Sequence, residues 1–414
     1  IIVLRKTREP VIPCGIPYMY RTLEKPENNC MGNPFEKNNI DLVCEKAVKI
    51  DRKNKTIETE KNPFSYEKLI IATGSVPFCP PIEGCGKMGV YTIKKEFEHL
   101  NNLKKDFENA NDVIIIGGGF IGVEFADEFS KSDKNITIIE RSPDILYHSF
   151  DKEFSEIATK ELKDNGVNIV TEDEVVEFIG GERVEKVRMK TGREMKADLV
   201  VMGIGARPNS VLAERAGLRV GERGGILVDE YMRTNDSDIF AVGDCTEEKD
   251  FFTRKRTGVM LASTAVAEAR IAGASLYKLM MIKENKGTIA SYSTVVGETA
   301  LASSGLIEKT AKSEGFDVVV GNGEAVNRHP GKLPGAKNTK VKLVFSRCGV
   351  LIGGQISGGE PVGEMINILN IAIEKHMTMN EIVSLQMATH PKLTAAPTVY
   401  PIITATLDAM RKLS

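Results

Sequence analysis

The most reactive side chain of this sequence is a cysteine set among prolines, in Pro13-Cys14-Gly15-Ile16-Pro17-Tyr18. Proline suits the first turn of a helix, so Pro17 predicts a helix continuing through Met19–Leu23, with Cys14 just before its N-terminus. In that position the helix dipole and the orphan N–H groups stabilise a thiolate, the form that attacks sulfur and is readily oxidised. The fifth residue after Cys14 is Met19, and no second thiol is close enough in sequence to close a local disulfide. The sulfur must then cycle against sulfenic acid, or against a mixed disulfide with a small thiol. The bland alternative is a buried structural thiol, the usual state of a free cysteine. That is the reading for Cys30, Cys44, Cys79, Cys85, Cys245 and Cys348.

His390-Pro391 is a second candidate, since a histidine can move a proton to or from a sulfur near neutral pH. A lone histidine near a turn is just as well a surface or capping residue. Tyr18 and Tyr400 can donate hydrogen bonds to a thiolate, and ordinary amphipathic packing explains each equally well. His148 and His376 show no ligand spacing, and no metal is assigned.

Two further patterns point to nucleotides. Gly117-Gly118-Gly119-Phe120-Ile121-Gly122 matches G-x-G-x-x-G between a buried strand, Val113–Ile116, and a helix, Val123–Ser130. Glycines there permit a tight turn, close approach of a pyrophosphate and close helix–strand packing, while the helix N-terminus attracts negative charge. Glu140 ends the next strand at the spacing expected for a ribose-binding carboxylate, which would repel a 2′-phosphate. NADH is therefore favoured and NADPH is kept open, because Arg141 follows directly. In Asp238–Asp244 (DIFAVGD) a short strand delivers Asp244 just past a glycine, where a carboxylate can meet a ribityl hydroxyl; alone, it reads as a turn or cap residue.

The elements that must position these groups follow from the pattern of apolar residues. Ala47–Asp51 and Thr56–Thr59 form a hairpin, and Lys68–Gly74 is a short strand stopped by glycine. From Asp112 onward strands alternate with helical stretches, which argues a parallel sheet. Ile226–Val228 and Ile239–Val242 are again strands, and Gly258–Leu279 is helical. From about Ser291 the alternation changes to antiparallel strands at Val318–Val320, Lys340–Phe345 and Leu351–Gln355, followed by helices at Pro361–Lys375, Thr378–Leu385 and Tyr400–Arg411. The 414 residues need more than one core. A net charge of −2 gives no electrostatic footprint for nucleic acid or an anionic membrane, and no apolar run is long enough to span a bilayer. Seven scattered cysteines without a C-x-x-C pair argue against a zinc ribbon and fit a reduced, cytoplasmic setting.

Ala72-Thr73-Gly74, the turn at Gly117 and the aspartate of FAVGD, in this order, resemble the pyridine nucleotide-disulfide oxidoreductase superfamily over essentially the whole chain. The resemblance implies an α/β fold of two Rossmann-like dinucleotide-binding domains, for FAD and NAD, plus a C-terminal α+β dimerisation domain. The corresponding boundaries are 1–108 and 226–288 for the FAD domain, 109–225 for the NAD(H) domain and 289–414 for dimerisation. It implies that Ala72, Thr73, Gly74 and Asp244 contact FAD and that Gly117, Gly119, Ile121, Gly122 and Glu140 contact NADH. Phe120 then gates the flavin face, Glu124 stands near the nicotinamide, and Gly205 belongs to a familiar stretch, Gly203–Asn209. Members begin with their own glycine turn for the FAD pyrophosphate. Here Ile1–Leu4 matches the second strand of that domain, so a leading βα unit of roughly 30 residues is expected to be missing, and Arg5-Lys6 stands where an acidic residue is frequent.

Dithiol members carry C-x4-C at the Cys14 position and a glutamate five residues after the His-Pro histidine, where this chain has Met19 and Ala395. The one-cysteine pattern resembles NADH oxidases, NADH peroxidases, coenzyme A-disulfide reductases and persulfide or polysulfide reductases, with CGxPY nearest the sulfur-reducing members and archaeal-type proteins often called NADH oxidases. The implied activity is electron transfer from NADH through FAD to Cys14 and on to a small acceptor. Coenzyme A disulfide or a persulfide is the first choice, and oxygen or peroxide the alternative. A non-catalytic NADH-sensing flavoprotein is a third reading. Catalytic roles fall to Cys14, His390 and Tyr18 in a cytoplasmic homodimer with no nucleic-acid or membrane partner.

Overall fold

A computed structural model describes residues 1–7, 10–32, 34–280 and 284–413. The chain divides into two compact units, each assembled from separated segments.

The first unit takes residues 1–80, 92–109 and 204–288. Its parallel strands form two pairs: Ile2–Leu4 beside Asp41–Val43, and Leu69–Ile71 beside Ile239–Ala241. The hairpin of Ala47–Asp51 and Thr56–Thr59 forms over the expected residues and is extended by Pro63–Ser65. Ile50, Ile57, Ile71, Ile226, Ile239 and Cys245 pack into one core, so the apolar residues of hairpin and parallel strands bury a common face. Ile226–Val228 contributes only isolated bridges, to Val220 and Thr246. Helices run over Phe97–Asn109 and Ala262–Ser275.

The second unit takes residues 81–91, 110–203 and 289–414. Strands Asn168–Val170, Asn135–Ile139, Asp112–Ile116 and Leu199–Met202 lie side by side in that order, all parallel. The earliest of these four, Asp112–Ile116, is thus central, the order of a dinucleotide-binding half, and Val90–Thr92 adds an edge beside Leu199–Met202. Val113–Ile116 is buried throughout, as expected for a parallel strand covered on both faces. Helices Phe120–Ser130 and Lys152–Asp164 complete the βαβ connections.

The C-terminal part is a five-stranded antiparallel sheet ordered Tyr292–Val296, Thr299–Gly305, Leu351–Gly358, Asn338–Ser346, Val318–Val326. Its central strand, Leu351–Gly358, is buried at every position. Helices Val362–Glu374, Met379–Val383 and Pro401–Leu413 follow, the second opened by a capping box from Thr378 to Glu381. Lys342 on this sheet is 6% exposed and meets Asp151 at 3.0 Å and Glu308 at 2.8 Å, with Glu153 also in contact. Gln355 donates to the Asp151 carboxylate at 2.6 Å and accepts the Asp151 N–H at 2.7 Å. The start of helix Lys152–Asp164 is thereby fastened to the sheet.

Candidate active site

Cys14 lies in the first of two successive 3-10 turns, Pro13–Gly15 and Pro17–Met19, each opened by its proline. The α-helix expected through Leu23 does not form. Tyr20 N–H closes the second turn on Pro17 O at 3.3 Å, and Leu23 N–H reaches Tyr18 O at 2.8 Å. A three-residue turn aligns too few peptide dipoles to act as a macrodipole, so packing is what fixes the sulfur. Cys14 and Tyr18 are exposed, whereas Ile16, Pro17, Met19 and Tyr20 are buried. The place of a second thiol is thus taken by a methionine that is 1% exposed.

Asn29 holds the near side of this segment. Its backbone carbonyl accepts Ile12 N–H at 2.9 Å, and its amide donates to Ile12 O at 3.0 Å. A Cβ on Gly15 would lie 1.9 Å from Asn29 Oδ1, so any side chain here has to displace that amide. On the far side, Lys104 Nζ donates to Met19 O at 3.0 Å, and the Tyr20 ring meets Phe107 edge-on at 6.2 Å. Asn29 gave no sequence signal, being a polar residue in an irregular stretch.

Strand register brings the two flavin landmarks together. Ile71 pairs with Ala241, and Val242 N–H bonds Ile71 O at 3.0 Å, so Ala72–Gly74 and Gly243–Asp244 emerge side by side. Thr73 Oγ1 donates to Asn209 O at 2.5 Å, and Asn209 N–H returns to Gly74 O at 2.8 Å. Asp244 Oδ2 accepts Ser75 Oγ at 2.8 Å and meets Lys95 Nζ at 3.3 Å. Those contacts fall on one oxygen and leave Oδ1 for a hydroxyl. Gly74 and Gly205 adopt left-handed φ of +65° and +100° with open space where a Cβ would stand. These residues fit the ribityl and isoalloxazine side of FAD. Lys95 and Ser75 were not anticipated.

In the second unit Gly117 has φ +100°. A Cβ on Gly122 would stand 1.9 Å from Gly117 O, while one on Gly119 would meet nothing within 4 Å. Close packing at one glycine and clearance at another are what a bound pyrophosphate needs. Glu140 ends its strand as expected, and its carboxylate accepts Gly118 N–H and Ser142 N–H, both at 2.6 Å. The residues fit a dinucleotide. Phe120 opens the helix after the turn and stacks on Tyr292 at 4.9 Å, and Ile121 is exposed beside it. Burial pushes the Glu124 carboxyl up to about 7 against the hydrogen bond from Thr294 Oγ1, 2.9 Å long. It therefore stands near half-protonation at neutral pH.

His390 is exposed and is oriented after all. Lys392 N–H donates to its Nδ1 at 3.2 Å, and a backbone N–H can only donate, so the ring proton sits on Nε2. Thr394 folds back on the same residue, with its N–H on His390 O and its hydroxyl oxygen accepting His390 N–H, both at 3.0 Å. Ala395 and Tyr400 are buried, and burial raises the Tyr400 phenol.

Of the remaining cysteines, Cys245 is the packed thiol expected, fully buried with its thiol pushed up by burial. Cys44 and Cys348 are exposed and Cys30 is half-buried, while Cys79 and Cys85 are disulfide-bonded, contrary to the uniform reading as buried structural thiols. Among the described residues, no cluster of three or more His, Cys, Asp or Glu is placed to hold a metal. No helix among them is long and apolar enough to cross a membrane.

Residues 5–269 match the pyridine nucleotide-disulphide oxidoreductase family, and residues 291–399 match its dimerisation domain. The chain belongs to that family, and is thus an NAD(P)H-dependent flavoenzyme with a C-terminal dimerisation domain. It is 31% identical to the NADH oxidase of Methanocaldococcus jannaschii, over 100% of this chain and 94% of that protein. It is 33% identical to the NAD(P)H coenzyme A polysulfide/persulfide reductase of Pyrococcus horikoshii, over 84% of this chain and 79% of that protein. The structure of a NAD-dependent persulfide reductase from A. fulgidus superposes with a TM-score of 0.91 at 30% identity, covering 100% of this chain and 78% of that one.

Proposed function

We propose that this protein uses NADH to reduce a small sulfur acceptor, a disulfide of a small thiol such as coenzyme A or a persulfide, through Cys14 as its single redox sulfur. The observation that carries this reading is the exposed Cys14 on a 3-10 turn whose fifth following residue, Met19, is buried. With Met19 standing where dithiol members carry their second cysteine, the partner sulfur is expected to come from the substrate. The similarity to a coenzyme A persulfide reductase and to a persulfide reductase supports the same acceptor class.

FAD, when bound, supplies the two-electron relay between nicotinamide and sulfur. In the first unit Ala72–Gly74 and Asp244 hold its ribityl side, and Gly205 leaves room beside it. In the second unit Gly117–Gly122 hold the NADH pyrophosphate and Glu140 the adenosine ribose, where its charge disfavours a 2′-phosphate. The Cys14 thiolate attacks one sulfur of the acceptor disulfide, forming a mixed disulfide and displacing a thiolate. His390, whose Nδ1 accepts the Lys392 N–H and whose ring proton is on Nε2, is assigned the role of hydrogen-bond donor to a substrate sulfur; the released thiolate takes its proton from water. Neutral histidine used as a donor toward developing negative charge is established chemistry. Tyr18, exposed on the same segment, lines the approach to Cys14. The dimerisation domain makes the working form a homodimer, in the cytoplasm, where NADH is available.

The test is anaerobic NADH turnover with coenzyme A disulfide, polysulfide and peroxide, with an aerobic oxygen assay in parallel, on FAD-loaded wild type and Cys14→Ser. Sulfur acceptors should be reduced by wild type alone. Full rates in Cys14→Ser on every acceptor would end the cysteine mechanism, and turnover with oxygen alone would favour the oxidase alternative.

A further inference from the structure

Two His-Pro dipeptides far apart in sequence, His329-Pro330 and His390-Pro391, meet on adjoining loops of the second unit. His329 N–H donates to Pro391 O at 3.0 Å. The His329 ring places Nδ1 3.0 Å from Thr394 O. A carbonyl oxygen only accepts, so His329 Nδ1 carries a proton. The two rings are therefore wired in opposite senses: His329 donates from Nδ1, whereas His390 accepts at Nδ1 and carries its proton on Nε2.

His329 grips the 390–394 turn at both shoulders. Pro391 is directly attached to His390, and Thr394 closes the turn on His390 through its amide and its hydroxyl. The Lys392 N–H that sets the His390 tautomer lies between those two anchors. Releasing the anchors would free the turn, and with it the direction in which His390 presents its Nε2–H. Ala395, buried next to the second anchor, offers no polar group to take over.

We propose that His329 is a positioning residue for His390, holding the 390–394 turn so that Lys392 N–H faces Nδ1 and the ring proton stays on Nε2, ready to donate. The proposal rests on the donor role given to His390 above. It assigns His329 no contact with substrate or cofactor: its imidazole acts through Thr394 and its backbone through Pro391. The lever is orientation, and an error of about 1 Å in a catalytic group can cost on the order of a hundredfold in rate.

The test compares His329→Ala, His329→Asn and His390→Ala in the full-length, FAD-loaded protein. Asparagine places an amide N–H near the position of Nδ1–H and is the conservative rescue. Three quantities are read: reduction by NADH under stopped flow, reoxidation by coenzyme A disulfide, and the His390 tautomer by nitrogen-15 NMR of labelled histidine. His329→Ala should slow reoxidation about 10- to 100-fold with the NADH step unchanged, and His390 should lose its uniform Nε2–H signature. His329→Asn should restore both. A His329→Ala protein with the wild-type tautomer at His390 would overturn the proposal, as would an equal slowing of the NADH step. If His390→Ala reoxidises at the wild-type rate, the donor role of His390 falls, while the tautomer measurement still decides whether His329 positions it.

Discussion

Replacing Gly15 by alanine should damage the Cys14 turn through one identifiable contact. The new methyl would stand 1.9 Å from Asn29 Oδ1, well inside van der Waals distance, so the amide has to move by more than 1 Å, roughly. Asn29 is 3% exposed, and its amide is already committed to Ile12 O at 3.0 Å. Moving it breaks that bond and strands a buried polar group, which costs about 1–3 kcal/mol; overpacking adds a further ~1–2 kcal/mol. A total of about 2–5 kcal/mol is expected for the local structure. The suitable assay is native-state hydrogen exchange at Ile12 N–H, which bonds Asn29 O at 2.9 Å and reports local opening in a chain of several cores. Paired with Asn29→Ala in a double-mutant cycle, Gly15→Ala should become nearly silent, giving a coupling close to its whole cost of about 2–5 kcal/mol. Equal protection in Gly15→Ala and wild type, or strictly additive effects, would refute the reasoning.

Further outcomes follow from groups elsewhere in the chain. Lys342→Ala would leave Asp151 buried without its cation and should cost about 3–5 kcal/mol by thermal unfolding, whereas Lys412→Ala, which frees the more exposed Asp408, should cost under ~1 kcal/mol. Glu124 has a folded pKa of about 7, above its ordinary value. The stability it contributes is therefore complete below pH ~4.5 and is lost as pH rises through 7. Glu124→Gln should gain on wild type across that window, by up to ~3 kcal/mol, and stay level above pH 8; a flat difference in urea midpoints from pH 5 to 8 would contradict the burial argument. Asp244→Ala should weaken FAD retention at least ~10-fold in an apoprotein titration, against less than ~3-fold for Lys95→Met, whose pair with Asp244 is partly solvated.

What the sequence disclosed and what it hid divide along physical lines. The turn at Gly117–Gly122 was legible because it is a demand on the backbone: positive φ at Gly117 and no room at Gly122 restrict the residue types themselves. The hairpin at Ala47–Thr59 and the apolar Asp112–Ile116 strand were legible from alternation and burial. Thr299–Gly305 was passed over because TALASSG is built of small residues with little β-branching, although its interior is buried. The helix after Pro17 was misjudged because proline opens a 3-10 turn as readily as an α-helix, and nothing in the tetrad that follows decides between them. Asn29, Lys95 and His329 act across the fold, with no periodicity to betray a partner. His329 alone left a trace, the repeated His-Pro dipeptide.

Met19 in its sealed position has a consequence for how the protein would be found when isolated. A catalyst with two sulfurs can rest oxidised within its own covalent frame. On the single-sulfur mechanism proposed above Cys14 cannot: to store an oxidising equivalent it must carry an atom acquired from outside, whether oxygen or the sulfur of the last thiol it met. The mass of the resting polypeptide then becomes a record of its surroundings. In thiol-poor, aerated buffer the exposed sulfur is open to irreversible over-oxidation, so a supply of small thiol would protect it by capping it as a mixed disulfide.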